Sequence, residues 1–369
     1  MNGVNNIKSV NIAGGGIAGL SSAHLLKRNG YYPIVYEKES NIGKSRHGDY
    51  EGIENWIFPT EINSFFGQLG FNFSKIHSFP ISKFYVHSKS NKPLLITHPQ
   101  PFFHMIKRGY KETDLDFQLY NQCKSSGVEF RFGQKAPNNC NIIATGTSKA
   151  VAYIKGINFK TDLKDQIHLL LGNKFAPKGY AYLIILDGNA TLATAFKKII
   201  LDGNATLATA FKKTKTKQKD TINNCKDYFE SIGLSIPQGN SFASRGSFSL
   251  PFGPNQEPYK VGEAGGYQDY LFGFGIRMSM ISGMGAALYI LGRKKEAKNV
   301  FRILNHKRRL SFINRFLYEK LNDNQMSVIV NKLSKSNDPL SILSGIYGWN
   351  TKNILRWIKL KYRFEIRPT

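Results

Sequence analysis

Cysteines, acidic residues and long apolar runs are all scarce in this sequence. Its three cysteines, Cys123, Cys140 and Cys225, are far apart and odd in number. This argues against a disulfide scaffold and a Cys-x-x-Cys metal site, and it fits a reducing compartment. No apolar run reaches the roughly 18 residues of a membrane-spanning helix. The N-terminal segment MNGVNNIKSV shows no secretory pattern, so we expect a cytoplasmic protein.

The shortage of acids leaves a strong charge imbalance. The 369 residues include 51 Lys and Arg but only 25 Asp and Glu, a formal charge of +26. Such a balance is typical of proteins that bind nucleic acid, an anionic membrane surface or an acidic ligand. A hydrophobic fraction of 41% excludes a mainly disordered chain and predicts a large core.

The N-terminal segment predicts a βαβ unit with a glycine-rich turn. A short apolar strand over residues 8–13 runs into Gly14, Gly16 and Gly19, and the helix that follows is closed by Gly30. In a Gly-x-Gly-x-x-Gly turn the first glycine permits the bend, the second admits a pyrophosphate, and the third allows close helix packing. The helix N-terminus then offers free N–H groups to the phosphates.

An acidic residue ends the second strand of this unit. Glu37 follows the strand Pro33–Tyr36 and lies 18 residues beyond Gly19. At about this distance a carboxylate accepts hydrogen bonds from ribose hydroxyls, which predicts an adenosine ribose with a free 2′-hydroxyl, as in FAD or NAD. The alternative interpretation of Glu37 is a solvated acid at a strand end.

A second glycine-rich stretch, VGEAGGYQDYLFGFGIRMSMISGMGAA, lies far downstream. A strand leads into Gly262-Glu263, and Gly273 and Gly275 precede a helix that begins at Ile276. A second helix N-terminus among glycines is another anion-binding arrangement. An extended flavin dinucleotide needs two such loops, whereas a plain NAD-dependent dehydrogenase does not. The alternative is a glycine-rich segment used only for helix packing.

One internal repeat is perfect. The segment IILDGNATLATAFKK occupies Ile184–Lys198 and recurs as Ile199–Lys213. Each copy predicts a strand, an Asp-Gly-Asn turn and a second strand. Because structural repeats drift apart and solenoids need three or more copies, we interpret this pair as a tandem duplication without a functional role. One copy is expected to form the native hairpin and the other an added strand or bulge.

Together the motifs resemble those of FAD-dependent oxidoreductases of the geranylgeranyl reductase family, which is related to the aromatic-hydroxylase flavoproteins. The resemblance runs from about Ser9 to about Glu319. VNIAGGGIAGLSSAHLLKRNGYYPIVYEK resembles the FAD fingerprint, CNIIATGTSKA the strand and turn at the adenine, PKGYAYLI the aromatic motif over the substrate cavity, and the downstream stretch the second FAD motif. It implies an α/β fold with a Rossmann-type FAD-binding domain, an inserted β-sheet substrate domain and a helical C-terminal region.

The resemblance also implies which residues hold FAD. The pyrophosphate would lie on the first glycine loop, the ribose and adenine at the end of the second strand, and the flavin on the second loop. An arginine before the middle helix would face the cofactor. The implied cofactor-binding residues are Gly14, Gly15, Gly16, Ile17, Ala18, Gly19, Glu37, Lys38, Arg46, Arg108, Gly146, Gly262, Glu263, Gly273, Gly275 and Ile276.

The sequence departs from this family beside the flavin. The family carries a Cys-Gly segment there, and the corresponding stretch Gly43–Tyr50 has no cysteine. We therefore expect Arg46 or His47 to face the flavin, because a histidine can donate or relay a proton near neutral pH. A loop histidine with a structural hydrogen bond is the alternative. Tyr182, in a shortened aromatic motif, is the second predicted catalytic residue.

The predicted organisation alternates between the two domains. Its segments are 1–80 (FAD-binding, first part), 81–107 (substrate-domain strands), 108–150 (FAD-binding, middle part), 151–255 (substrate domain, with the duplication at 184–213), 256–291 (FAD-binding, second motif and helix) and 292–369 (basic helical C-terminal region).

The predicted activity is reduction of double bonds in a prenyl or other hydrophobic substrate, with NAD(P)H or ferredoxin as electron donor. A flavin-dependent monooxygenase stays open as an alternative, as does a basic membrane- or nucleic-acid-binding protein with structural FAD. Residues 292–369 hold 18 Lys and Arg against 5 Asp and Glu, interleaved with aromatic residues. This pattern predicts a peripheral contact with an anionic membrane. No nucleic-acid motif accompanies it, so we expect no nucleic-acid partner.

Overall fold

The computed structural model describes residues 8–89, 92–146, 152–197, 220–246 and 256–364. The strands in this part of the chain are β1 (Ser9–Ala13), β2 (Tyr32–Glu37), β3 (Tyr50–Glu54), β4 (Phe79–Ile81), β5 (Lys83–His87), β6 (Leu94–Thr97), β7 (Phe103–Lys107), β8 (Glu129–Phe132), β9 (Ile142–Ile143), β10 (Ala152–Lys160), β11 (Gln166–Leu171), β12 (Tyr180–Leu186), β13 (Asn189–Lys197), β14 (Asn240–Gly246) and β15 (Tyr259–Lys260). The α-helices are α1 (Ile17–Arg28), α2 (Ile62–Gln68), α3 (Leu115–Ser125), α4 (Asp220–Ser231), α5 (Ile276–Ile290), α6 (Lys294–Tyr318), α7 (Asp323–Ser334), α8 (Pro339–Gly345) and α9 (Thr351–Arg363).

A parallel five-stranded sheet collects its strands from widely separated parts of the chain. Its order is β15-β9-β1-β2-β8, and every pairing in it is parallel. Parallel strands need crossover connections, and α1 supplies the one between β1 and β2. All five strands therefore end at the same edge, where the loops after β1, β2, β9 and β15 meet.

A second, mostly antiparallel sheet has seven strands in the order β14-β10-β13-β12-β11-β5-β6. The β12–β13 hairpin contains the first copy of the duplicated segment, as predicted. Its two-residue turn places both Asp187 and Gly188 at positive φ, 51° and 64°, which is the backbone of the turn favoured in tight hairpins. The second copy, Ile199–Lys213, lies outside the described residues.

Two apolar clusters cover the opposite faces of this seven-stranded sheet. On one face, Leu183 and Ile185 of β12 pack with Cys225 and Phe229 of α4. On the other, Ile184 and Leu186 join the large core that contains α1, α5 and the three-stranded sheet β3-β7-β4. The alternation along β12 follows from the two-residue period of a strand. One face of the seven-stranded sheet therefore packs against the same core as α1 and α5, the helices that follow the two glycine loops.

The helices α1 and α5 cross at very short range. A Cβ at Gly283 in α5 would lie 2.3 Å from the Ala18 carbonyl oxygen of α1, so only glycine fits there. The Ser22 hydroxyl is buried and lies 3.0 Å from both the Ala18 and the Gly283 carbonyl oxygens, so it links the two helices by hydrogen bonding. Small residues at a helix crossing let the two backbones approach.

The architecture confirms the predicted α/β class, with a Rossmann-type parallel sheet, an inserted sheet and a helical C-terminal region. The domain limits drawn from the sequence stay predictions. Helix α4 was not predicted. Among the described residues, none of the helices combines the length and the apolar character needed to cross a bilayer.

We expect Gly283→Ala to destabilise the protein by about 1–3 kcal/mol, because the added methyl overpacks the α1–α5 crossing. The matched control is Gly67→Ala in α2, where a Cβ would meet no atom within 4 Å. There alanine should stabilise the helix by up to about 1 kcal/mol. Denaturant unfolding of both variants measures the difference, and equal effects at the two positions would contradict the tight crossing.

Candidate functional site

The first glycine loop joins β1 to α1 at the carboxyl edge of the parallel sheet. Gly14 has a φ of +98°, and a Cβ there would lie 2.5 Å from the Ala144 carbonyl oxygen. A Cβ at Gly19 would lie 2.1 Å from the Gly14 carbonyl oxygen. Both positions therefore require glycine, one for the turn and one for helix packing.

Gly16 differs from its neighbours because the space above it is open. Among the residues that the structure describes, a Cβ at Gly16 would have only the Ala144 carbonyl oxygen within 4 Å, at 3.9 Å. Gly16 is also the N-cap of α1, so the N-cap has no side chain to cap the helix, and the first turn contains no acid. The free N–H groups of the first turn, which includes Ile17 and Ala18, are thus left to bind an anion.

Glu37 lies against this loop at the end of β2. Its Oε2 accepts a hydrogen bond from the Gly15 amide at 2.9 Å, and its Oε1 accepts one from the Glu39 amide at 3.0 Å. The carboxylate is therefore fixed at the position where the fingerprint predicts ribose binding. Lys38 points outward with 82% of its side chain exposed and pairs with Glu39 at 3.6 Å.

Two further predicted residues meet beside the first loop. Gly146, at a φ of +69°, follows β9, and a Cβ there would lie 3.7 Å from Oε2 of Glu263. Gly262, at a φ of +59°, packs on Ala18, where a Cβ would come within 3.0 Å of the alanine Cβ. The second motif therefore contacts α1 directly, although more than 240 residues separate Ala18 from Gly262 in the chain.

The loop before α5 is held by a carboxylate that the sequence analysis did not single out. Oδ2 of the fully buried Asp269 accepts the amides of Phe272 and Gly273 at 2.6 and 3.1 Å. Oδ1 accepts the hydroxyls of Ser311 and Tyr347 at 2.5 and 2.7 Å. This one side chain fixes the second glycine loop against α6 and the segment before α9.

At the end of this loop, Gly275 is the N-cap of α5, so this N-cap too has no side chain, and the first turn again contains no acid. Ile276, the first helical residue, is buried. The N-terminus of α5 is therefore a second place where backbone N–H groups can bind an anion or a carbonyl oxygen of a ligand.

Several buried polar atoms around the second loop lack partners in the described part of the chain. They are Oε1 of Glu54, Nε1 of Trp56, Oε1 of Gln268 and Nε of Arg277. The Trp56 ring packs 5.2 Å from Phe274, and the Gln268 amide donates to the Gly273 carbonyl. Buried polar groups are normally satisfied, so unpaired ones beside a glycine loop point to a polar ligand.

Arg108 is engaged by two carboxylates. Its Nε and Nη2 donate to Asp116 at 2.7 and 2.8 Å, and its Nη1 donates to Glu51 at 2.7 Å. Arg108 and Asp116 are buried, whereas the Glu51 side chain is one-third exposed. Removal of Asp116 would therefore leave the buried Arg108 charge paired only with a partly exposed carboxylate. Its predicted contact with FAD stays a prediction beside this structural role. The positive charge of Arg46 lies close enough to contribute to a lowered pKa at Asp116.

A second acidic residue beside this ion pair was also missed. Asp49 is buried near the end of the segment Gly43–Tyr50, which corresponds to the Cys-Gly stretch of the family that the sequence resembles. Burial and then the charge of Glu51 raise the pKa of Asp49 to about 6. Burial, followed by the charges of Asp49, Tyr180 and Glu51, holds the pKa of Tyr182 well above its usual range. Tyr182 and Asp49 therefore belong to one cluster.

His47 contacts a different part of the molecule, the strands β14 and β10. Its ring stacks on Phe242 of β14 with the ring centres 5.6 Å apart, and its carbonyl accepts from Asn158 of β10. The side chain is exposed. These contacts match the structural alternative given for this histidine, and its predicted catalytic role stays a prediction.

The site fits FAD. The described residues offer two helix N-termini with glycine N-caps, a glycine with open space above it and an acid at the end of β2. They also include buried polar atoms at the second loop that have no partner within this part of the chain. Together these features suit the parts of an extended dinucleotide. The first loop and Glu37 would hold the pyrophosphate and ribose. The second loop would hold the flavin side.

One known protein family matches the N-terminal part of the chain. Residues 12–70 match the family described as NAD(P)-binding Rossmann-like domain. A comparison with curated protein sequences finds no match.

Solved structures with the same fold cover nearly the whole chain. A geranylgeranyl bacteriochlorophyll reductase-like protein from Thermoplasma acidophilum is similar at a TM-score of 0.63 and 17% identity, covering 96% of this chain and 97% of that one. CmlS, a flavin-dependent halogenase, is similar at 0.59 and 13%, covering 97% and 78%. The p-nitrophenol 4-monooxygenase PnpA from Pseudomonas putida DLL-E4 is similar at 0.59 and 10%, covering 95% and 98%.

The chain therefore has the fold of FAD-dependent oxidoreductases, as predicted. At identities of 10–17%, the similarity shows a shared fold and no more, and this fold occurs in reductases, halogenases and monooxygenases alike.

We expect Gly16→Val to weaken FAD binding at least about a hundredfold, a loss of about 3 kcal/mol, because the side chain would fill the space above the loop. The apoprotein should lose less than about 1 kcal/mol of stability, since a Cβ at this position meets no close atom. Gly19→Val is the matched control, because its clash should destabilise the apoprotein itself. Flavin titration and urea unfolding separate the two effects, and unchanged FAD affinity in Gly16→Val would contradict the assignment.

We expect Asp269→Asn to lower the unfolding free energy by about 2–4 kcal/mol, because an amide group would face donors that now bond a carboxylate. FAD should also bind more weakly, since the second loop loses its anchor. Tyr347→Phe removes one donor only and should cost about 1–2 kcal/mol. Urea unfolding and FAD titration of both variants measure this, and equal small losses would contradict the anchoring role.

Proposed function

We propose that this protein is an FAD-dependent oxidoreductase that reduces a double bond in a prenyl or other hydrophobic substrate. The observation that carries the proposal is the buried Asp49 carboxyl, whose charge lies close enough to Tyr182 to raise the pKa of that tyrosine. Tyr182 packs against the large core that also contains α1 and α5. Reduction of a carbon–carbon double bond requires a hydride on one carbon and a proton on the other. A carboxyl with a pKa of about 6 is protonated to a larger fraction near neutral pH than an ordinary aspartate, so it can supply the proton.

Different residues of the chain would bind the dinucleotide, hold the second loop in place and exclude water from the substrate. The first loop and Glu37 bind the dinucleotide end, while Asp269 holds the second loop in place. When bound, FAD would supply the hydride after reduction by NAD(P)H or ferredoxin. Trp56, Phe272 and Phe274 form an apolar wall beside the second loop, with ring centres 5.2–6.0 Å apart, and this wall would exclude water from a hydrophobic substrate.

The proton would come from Asp49. Its carboxyl is neutral below about pH 6 and ionised above, because burial and Glu51 disfavour the charge. After donation, the nearby positive charges of Arg108 and Arg46 would stabilise the carboxylate, since both lower its pKa in opposition to burial. Tyr182, half-buried on β12, would position the substrate over this group.

The alternative is a flavin-dependent monooxygenase, because the same fold occurs in the p-nitrophenol 4-monooxygenase. Both activities use FAD, so the product decides between them. A reductase product carries two added hydrogens and forms without oxygen. A monooxygenase product carries an oxygen atom from O₂ and forms only aerobically.

The decisive experiment starts from the purified holoprotein. Its FAD is photoreduced under anaerobic conditions and then mixed with prenyl alcohols, prenyl diphosphates and prenylated lipids, while the return of oxidised flavin absorbance is recorded. Reoxidation with a product two hydrogens heavier supports the proposal. Absence of anaerobic turnover, together with incorporation of labelled oxygen in air, would reject the reductase and establish the alternative.

We expect the proton-transfer rate of the wild type to fall about tenfold for each pH unit above about 6, since only the protonated carboxyl donates. Asp49→Asn should lower this rate by about 10²–10⁴-fold and abolish that pH dependence, with FAD content unchanged. Asp162→Asn, at an exposed position, is the matched control. Single-turnover rates across the pH range test this, and a full rate in Asp49→Asn would contradict the assignment.

A further inference from the structure

The C-terminal helix α9 has two apolar faces, and only one of them packs against other parts of the chain that the structure describes. On the packed face Trp357 and Phe364 contact Phe312 of α6, with ring centres 6.5 and 5.9 Å apart, and Leu360 is buried with them. These side chains, spaced at three and four residues, form the usual core stripe of a helix. This face explains how α9 attaches to the rest of the molecule.

The other apolar face is exposed. Ile354, Leu355, Ile358 and Tyr362 have 47%, 63%, 45% and 82% of their surface accessible. Their spacing of three, four and seven residues places them on one side of the helix, which we call the outer stripe. Four large apolar side chains on one exposed stripe are unlike the scattered apolar residues of ordinary protein surfaces.

The outer stripe lies between basic side chains. Lys352, Arg356, Lys359 and Arg363, at intervals of three and four residues, follow one border of the stripe and are exposed. Lys361 lies on the other border. The 13 residues of α9 contain these five basic residues and no acid, so the helix has a charge of +5 within a chain of +26.

We propose that the outer stripe of α9 docks the protein on the surface of an anionic lipid bilayer. The apolar side chains would enter the boundary between headgroups and acyl chains, while the bordering lysines and arginines contact the phosphates. Tyr362 has the amphipathic ring that is favoured at this depth of a membrane. The helix would lie along the surface, with its Trp357 face still attached to α6.

Charge and shape favour a bilayer over other partners. A nucleic acid would use the basic row but would leave Leu355 and Ile358 in water. An anionic bilayer satisfies both the apolar stripe and the basic border at once. This inference does not depend on the proposed enzymatic activity, because its test measures lipid binding alone.

The test is co-sedimentation of the full-length holoprotein with phosphatidylcholine vesicles, with and without phosphatidylglycerol. We expect strong binding only with the anionic lipid, and weaker binding as salt is raised. Leu355→Ser/Tyr362→Ser should lower the partition coefficient at least about tenfold through lost apolar burial. Lys352→Gln/Lys359→Gln should lower it by about ten- to thirtyfold, at about one kcal/mol for each lysine.

Matched controls change exposed residues elsewhere. Val328→Ser removes an apolar side chain that is 68% exposed on α7, and Lys135→Gln/Lys164→Gln removes two exposed charges. Both should bind like the wild type. Equal binding by the α9 variants and the wild type would overturn the proposal, as would equal binding to neutral vesicles. Binding to single-stranded RNA that the lysine variant alone weakens, without vesicle binding, would assign the surface to nucleic acid and also overturn it.

Discussion

The close crossing of α1 and α5 is the contact on which the candidate site depends. Because Gly283 has no side chain, the α5 backbone can approach the Ala18 carbonyl oxygen closely. The buried Ser22 hydroxyl lies within hydrogen-bond distance of a backbone carbonyl oxygen in each helix. This crossing unites two motifs that lie far apart in the chain and brings Gly262 onto Ala18. Two uncapped helix N-termini thereby belong to one site, and an extended dinucleotide needs both.

Asp269 extends this constraint to the C-terminal region. A buried carboxylate is stable only when donors surround it, and here two loop amides and two hydroxyls supply them. Since one hydroxyl comes from α6 and the other from Tyr347, the second glycine loop is built partly by residues after position 300. The basic C-terminal region thus has an internal structural role as well as the exposed α9 surface.

Local patterns explain what could be predicted from the sequence. The turn at Gly14, the close packing at Gly19 and the acid Glu37 obey short-range rules of backbone geometry, and the structure places all three at one loop. The Asp187-Gly188 turn follows similar rules. Asp49 and Asp269 were missed because no local pattern distinguishes them from surface acids. Their significance arises from partners such as Tyr182 and Tyr347, which lie 133 and 78 residues away.

Local sequence patterns were enough to predict the α/β class and each glycine loop taken singly, because each depends on contacts within about thirty residues. The expectation of FAD came from the presence of two such loops far apart in the chain and from the family resemblance. The packing of the whole molecule determined which polar groups are buried away from water. Burial raised the pKa of Asp49, and Arg108 became paired with Asp116 and Glu51. Within the described residues, packing left Trp56 and Gln268 with unpaired atoms beside the second loop. Desolvation is a property of the packed molecule, so a residue's identity alone does not reveal it.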